Sequence, residues 1–147
     1  MAKLLQLYFA GSIRAGRQDA QLYYSLVELL KSHGKIFTEH VADPNLSEAG
    51  DAHLDDKFIH DRDLDWLQQS DALIAEVTQP SLGVGYEIGR AVAMNKPVLC
   101  LFRPSSGKSL SAMIRGAQDG KSLVVQDYET LDEASTSFKT FLDPLKK

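Results

Sequence analysis

Strands alternating with helices along 147 residues predict one α/β domain, a three-layer sandwich of the Rossmann or flavodoxin-like kind around a five-stranded parallel sheet. Three observations carry that prediction. Short apolar runs recur at Leu4–Ala10, Ala72–Val77 and Pro97–Phe102, without the alternation of a one-sided sheet. Stretches with helical spacing lie between the strands. No repeat, linker or low-complexity tract divides the chain, and a hydrophobic content of 44% supplies a core for a single domain over residues 1–147.

Leu4–Ala10 reads as the first strand, ended by Gly11-Ser12. Gln18–His33 has helical spacing, with Leu22, Leu26, Leu29 and Leu30 as its apolar stripe and Gly34 as the stop. Lys35–Val41 is the second strand. Ala42–Ala52 is polar and long enough to suggest a lid or active-site loop. Asp55–Gln69 is a helix, Ala72–Val77 the third strand, and Gly85–Asn95 the next helix. Pro97–Phe102 is the fourth strand, Leu110–Gly116 a short helix, Leu123–Tyr128 the fifth strand and Leu131–Leu142 the closing helix.

The bulk numbers exclude several classes. A net charge of −4 argues against a general nucleic-acid binder, which needs a basic face. The one cysteine, Cys100, sits in an apolar run, so neither a disulfide framework nor a cysteine-rich zinc site is expected. Leu4–Ala10 is too short for a signal peptide, and no apolar run reaches membrane-spanning length. The expectation is a cytoplasmic protein, with a nuclear fraction left open.

In parallel sheets, ligands bind beyond the carboxyl ends of the strands, where the strand order reverses. Gly11–Arg17 and Thr78–Glu87 are therefore expected to face one crevice. The second of these holds Pro80, Ser81, Gly83 and Gly85 between a strand and a helix, an arrangement suited to an anion. Its glycine spacing fits neither the dinucleotide fingerprint nor a P-loop. Glu87 is placed in the first helical turn, where the helix field favours its ionised form. In the first loop, Ser12, Arg14 and Arg17 suit phosphate and Ile13 suits the face of a flat ring, although a solvated surface turn accounts equally well for them. Asp51–Asp65 holds six acids and two histidines without a metal-ligand spacing, so no metal is expected. Asp63 stands apart: at 100° per residue it shares a face with Ile59, Trp66 and Leu67, and a carboxylate on an apolar stripe is costly unless paired or functional. Tyr8 near the end of the first strand is either core or an orienting hydroxyl. His40 either meets a base or merely caps a strand end. Ser109, Ser111 and Arg115 are possible phosphate donors, within one subunit or across a dimer. Two carboxylates beside a phosphate loop suggest glycosidic chemistry on a phosphorylated sugar.

Several stretches also resemble one family. They are Tyr-Phe-Ala-Gly-Ser-Ile-Arg at 8–14, Thr-Glu-His-Val at 38–41, Asp-Leu-Asp-Trp-Leu-Gln-Gln at 63–69 and Ala-Glu-Val-Thr-Gln-Pro-Ser-Leu-Gly-Val-Gly-Tyr-Glu at 75–87, with Leu-Cys-Leu-Phe-Arg-Pro at 99–104 and Leu-Ser-Ala-Met-Ile-Arg-Gly at 110–116. The chain resembles the 2′-deoxynucleoside 5′-phosphate N-hydrolases of the nucleoside 2-deoxyribosyltransferase superfamily, with Ala15 as one departure. The resemblance implies hydrolysis of a deoxyribonucleoside 5′-monophosphate to free base and 2-deoxyribose 5-phosphate, without a cofactor. It implies Glu87 as nucleophile, Asp63 as the acid and base, and Tyr8 as the residue positioning Glu87. Ser12, Ser81 and Gly83 would hold the phosphate, with Ser111 reaching in from the partner of a homodimer, and Gly11 and Arg17 would also bind substrate. Ile13, Arg14, His40 and Met113 would line the base region, and Met113, like Ser111, would come from the partner. Transfer to a second base, a ribonucleotide-directed N-glycosidase and a catalytically dead binding module remain open, as does the base, a purine or a modified pyrimidine such as 5-hydroxymethyl-deoxyuridylate.

Overall fold

A computed structural model describes residues 3–13, 19–43 and 54–147, with Glu39 and His40 described by backbone alone. Arg14, Arg17, the side chain of His40 and most of the expected lid therefore lie outside the described residues. The elements follow the order β1 (Leu5–Ala10), α1 (Ala20–Leu30), β2 (Gly34–Ile36), α2 (Asp56–Gln69), β3 (Ala72–Glu76), α3 (Leu82–Ala93), β4 (Val98–Phe102), α4 (Ala112–Arg115), β5 (Leu123–Asp127) and α5 (Leu131–Leu142). All pairings are parallel, and the strands lie in the order β2-β1-β3-β4-β5. This is the flavodoxin-like order, with its switch point between β1 and β3.

Strand alternation divides the core into two layers. Leu5, Leu7 and Phe9 of β1, Ala72 and Ile74 of β3, and Leu99 and Leu101 of β4 pack with α1 and α5. Tyr8, Ala10, Leu73, Ala75, Val98, Cys100 and Phe102 face the other way, onto Leu67 of α2 and Val84, Ile88 and Ala91 of α3. Cys100 is fully buried, and burial pushes its thiol up to about 12, which leaves it an inert core residue.

The end of the second strand, the start of α3 and the buried stripe of α1 differ from the sequence reading. The second strand stops at Ile36, and a short 3-10 turn at Glu39–Ala42 replaces its expected end. Thr38 leaves the ladder because its side chain takes over the pairing: Oγ1 accepts from Phe9 N at 2.9 Å and donates to Phe9 O. Helix α3 begins at Leu82 rather than Gly85, because Ser81 caps it by accepting from Val84 N at 3.3 Å. Finally, the buried stripe of α1 is Ala20, Tyr23, Leu26, Val27 and Leu30, with Leu22 and Leu29 only partly buried at its margins.

Candidate active site

The earlier start of α3 moves Glu87 from the first turn into the second, so the first turn holds no acid. The expected effect of the helix field gives way to a larger one. Removal from bulk water raises the Glu87 carboxyl to about 7; the Tyr8 hydroxyl opposes the rise, and the nearby charge of Asp63 adds to it. Tyr8 is 1% exposed on β1, and its hydroxyl donates to Glu87 Oε2. Burial, together with Glu87 and Asp63, raises the Tyr8 pKa far above its usual value, so the phenol remains a donor.

Asp63 reaches the same site from α2. The helix is fixed at its start by Asp55, whose side chain accepts from Phe58 N at 2.7 Å. The expected face separation holds: Asp61 pairs outward with Lys57 at 2.7 Å and Asp65 with Gln69 at 2.7 Å, whereas Asp63 lines the cavity. Arg62 Nε donates to Asp63 Oδ1 at 3.0 Å, and its guanidinium lies 4.7 Å from the centroid of the Trp66 ring. That aromatic anchor holds the Arg62–Asp63 contact in place.

Asp63, Glu87 and Tyr8 line one cavity of about 1130 Å³ beyond the carboxyl ends of the strands. Gly11, Ile13, Ser81, Gly83, Ser111 and Met113 line it too, so both expected loops meet there. An added Cβ at Gly85 would meet nothing and one at Gly83 only Ser81 Oγ at 3.9 Å. Packing within the chain therefore does not demand glycine at either position, whereas close approach of a ligand would. Gly11 is different, because a Cβ there would lie 2.9 Å from the Tyr23 ring.

Ser12 is fully buried and lies behind the cavity wall rather than on it. Its N–H donates to the Tyr23 hydroxyl at 3.2 Å, and its Oγ is the one buried side-chain polar atom among the described residues without a partner. Ser111 caps α4 by accepting from Met113 N at 3.2 Å, and both line the cavity of their own chain. Met113 is 82% exposed at its edge. Ser109 also lines the cavity, but Arg115 pairs with Asp127 at 3.1 Å.

Sequence reasoning missed two features. His60 lines the cavity and its Nε2 lies 2.9 Å from the Tyr86 hydroxyl, joining α2 to α3. Its position one turn before Asp63 was the available signal. The second is a buried network around Glu76, whose partners are far away in sequence. Among the described residues no group of three or more His, Cys, Asp or Glu could hold a metal ion, and no helix is long and apolar enough to cross a membrane.

Two carboxyl groups facing one cavity, one of them with its pKa near neutrality, define a glycosidase-type site on a doubly wound domain. The sequence pattern of the nucleoside 2-deoxyribosyltransferase family matches residues 7–132. The 5-hydroxymethyl-dUMP N-hydrolase of Tetraodon nigroviridis is 62% identical over 126 residues, covering 84% of this chain and 88% of that protein. The Homo sapiens protein of the same name is 60% identical over 124 residues, covering 84% of this chain and 71% of that protein. The Clostridium botulinum CMP N-glycosidase BcmB shares the fold, with a TM-score of 0.66 at 18% identity over 93% of this chain and 99% of that one. The chain belongs to the nucleoside 2-deoxyribosyltransferase family.

Proposed function

We propose that this enzyme hydrolyses the N-glycosidic bond of 2′-deoxynucleoside 5′-monophosphates, 5-hydroxymethyl-dUMP among them, to free base and 2-deoxyribose 5-phosphate. One observation carries the reading: Tyr8 donates to a Glu87 carboxyl that shares its cavity with Asp63. The two carboxyls share one proton; with it on Asp63, the Glu87 carboxylate attacks the anomeric carbon as the bond to the base breaks, and that proton passes to the departing base. The resulting ester on Glu87 is hydrolysed by a water that Asp63, now a carboxylate, deprotonates. A carboxylate with little hydration is a stronger nucleophile than one in bulk water, which is the use of a pKa near 7.

The phosphate end is read at Ser81, Gly83 and the first turn of α3, where backbone N–H groups and the helix dipole favour an anion. The Ser12 hydroxyl, expected at the phosphate, is fully buried behind the cavity wall and takes no part in this assignment. Ile13 and Met113, with Arg14 and His40, are assigned to the base. Leu82 and Met113 are 96% and 82% exposed beside the cavity, which supports a homodimer in which Ser111 and Met113 also serve the partner's site.

The test is release of free base from a panel of deoxynucleotides, ribonucleotides and unphosphorylated deoxynucleosides, with Glu87→Ala alongside. Release from deoxynucleotides alone, lost by at least about a thousandfold in the variant, is the expected result. Equal release without the 5′-phosphate would remove the phosphate assignment and favour transfer between bases. No release at all would favour a binding module.

A further inference from the structure

The carboxyl ends of the strands hold a second polar centre on the face of the sheet opposite Asp63 and Glu87. Glu76 ends β3 and is fully buried. Its Oε1 accepts from Thr78 N at 2.7 Å, and its Oε2 accepts from the Tyr128 hydroxyl at 2.5 Å, Thr78 Oγ1 at 3.0 Å and Arg103 Nε at 3.3 Å. A carboxylate taken out of water is tolerable only with such a full set of donors. Arg103, just after β4, also donates through its Nη2 to Asp19.

Asp19 occupies the N-cap position of α1, yet its side chain accepts nothing from its own helix. An N-cap carboxylate ordinarily stabilises its helix, and here it is turned away from that contact. It meets Arg103 and, at 3.4 Å, Gln79 Nε2. Asp19 stands where the loop after β1 enters α1, and Gln79 stands in the loop after β3 and lines the cavity. The chain Glu76–Arg103–Asp19–Gln79 thus ties the start of α1 to the loop after β3, from the face of the sheet away from Glu87. Only a guanidinium presents donors in a fork able to hold two carboxylates in fixed directions.

Resting on the reading of a 5′-phosphorylated substrate, we infer that Arg103 is a positioning residue for the phosphate end of the site: anchored on Glu76, it fixes Asp19 and, through it, Gln79, and so sets where the loop after β3 stands against the start of α1. It acts on substrate binding rather than on the chemistry at Glu87.

Steady-state base release from a 2′-deoxynucleoside 5′-monophosphate is compared in the wild type, Arg103→Lys, Asp19→Ala, Gln79→Ala and the Asp19→Ala/Arg103→Lys double variant. The expected result is a KM raised about tenfold or more in the first two single variants with kcat within about threefold, and a double variant little worse than either. Gln79→Ala should raise KM in the same direction. Thermal protection by inorganic phosphate, which needs no turnover, should weaken in parallel. Arg103→Lys keeps a charge opposite Glu76, and Asp19→Ala leaves Glu76 fully paired, so neither strips the buried carboxylate of its donors. A lowered melting temperature with KM and phosphate protection unchanged would overturn the inference, as would a loss confined to kcat or additive losses in the double variant. Absence of base release from the wild type would overturn the proposed function alone. Phosphate protection would then still decide, weaker in the variants for the inference and equal, or missing in the wild type, against it.

Discussion

At the scale of the residue, Glu87 carries opposing demands from folding and catalysis. Its carboxyl ionises near 7 in the folded chain, against 4.5 ordinarily. The folded value lies above the unfolded one, so the folded state holds the extra proton between the two. Its contribution to stability is complete below about pH 4.5 and is lost as the pH rises through 7. Glu87→Gln removes the ionisation but keeps an acceptor for Tyr8. We expect it to stabilise the protein by about 1–3 kcal/mol at pH 8 and by little at pH 4.5, read from denaturant unfolding at the two pH values. The side chain faces a cavity and is only partly buried, which sets the lower end of that range. Tyr8→Phe acts in the other direction on the same group. The Tyr8 hydrogen bond favours the carboxylate, so its loss raises the Glu87 pKa further. The acidic limb of the kcat/KM profile should move to higher pH, with kcat at neutral pH falling about 10- to 100-fold. An unmoved limb would mean that Tyr8 only packs.

At the scale of the element, Gly34 gives the sharpest case. The sequence reading makes it a helix stop, but α1 has already ended at Leu30 and Gly34 opens β2, paired with Leu5. A Cβ there would lie 2.1 Å from the Leu5 carbonyl oxygen, so close approach of backbone requires the glycine. Gly34→Ala should cost about 3 kcal/mol or more, measured by denaturant unfolding, because β1 must move and carries Tyr8 with it. The pattern of hits and misses has a physical basis. Helix α5 starts where expected because Thr130 and Glu133 form a capping box, a signal written within four residues. Asp63 was legible because helical geometry alone separates it from Asp61 and Asp65. Leu82, Gly83 and Val84 read as loop, yet one cap at Ser81 suffices to draw them into α3. Thr38 reads as strand, and its side-chain bonds to Phe9 depend on a residue 29 positions away. Glu76 stood out only as a polar residue in an apolar strand. Its donors Arg103 and Tyr128 lie 27 and 52 residues off, and no local periodicity could name them.

At the scale of the whole molecule, the cavity mouth raises the question of what covers it. Leu82 is 96% exposed at the start of α3, Met113 is 82% exposed on α4, and Tyr86, one turn beyond Leu82, is 50% exposed. Single exposed apolar residues are ordinary, but Leu82 and Met113 line the same cavity, and clustered apolar exposure marks an association surface. Under the proposed homodimer a second copy covers this surface, the same apolar patch closing the interface on both copies. We expect the protein to sediment as a dimer at micromolar concentration and Leu82→Glu/Met113→Glu to sediment as a monomer. The monomer should keep its far-ultraviolet circular dichroism, because neither side chain is buried in the single chain. Its base release should fall about tenfold or more if Ser111 and Met113 serve the opposite site, since both are then withdrawn at once. A mixing experiment separates this from local damage at the mouth. Subunits bearing Glu87→Ala, combined with subunits bearing Ser111→Ala, restore activity in the heterodimer only if the serine crosses. One of its two sites then has both an intact Glu87 and an intact Ser111. Without crossing, each site keeps its own defect, and the mixture should show no more activity than the two parents averaged.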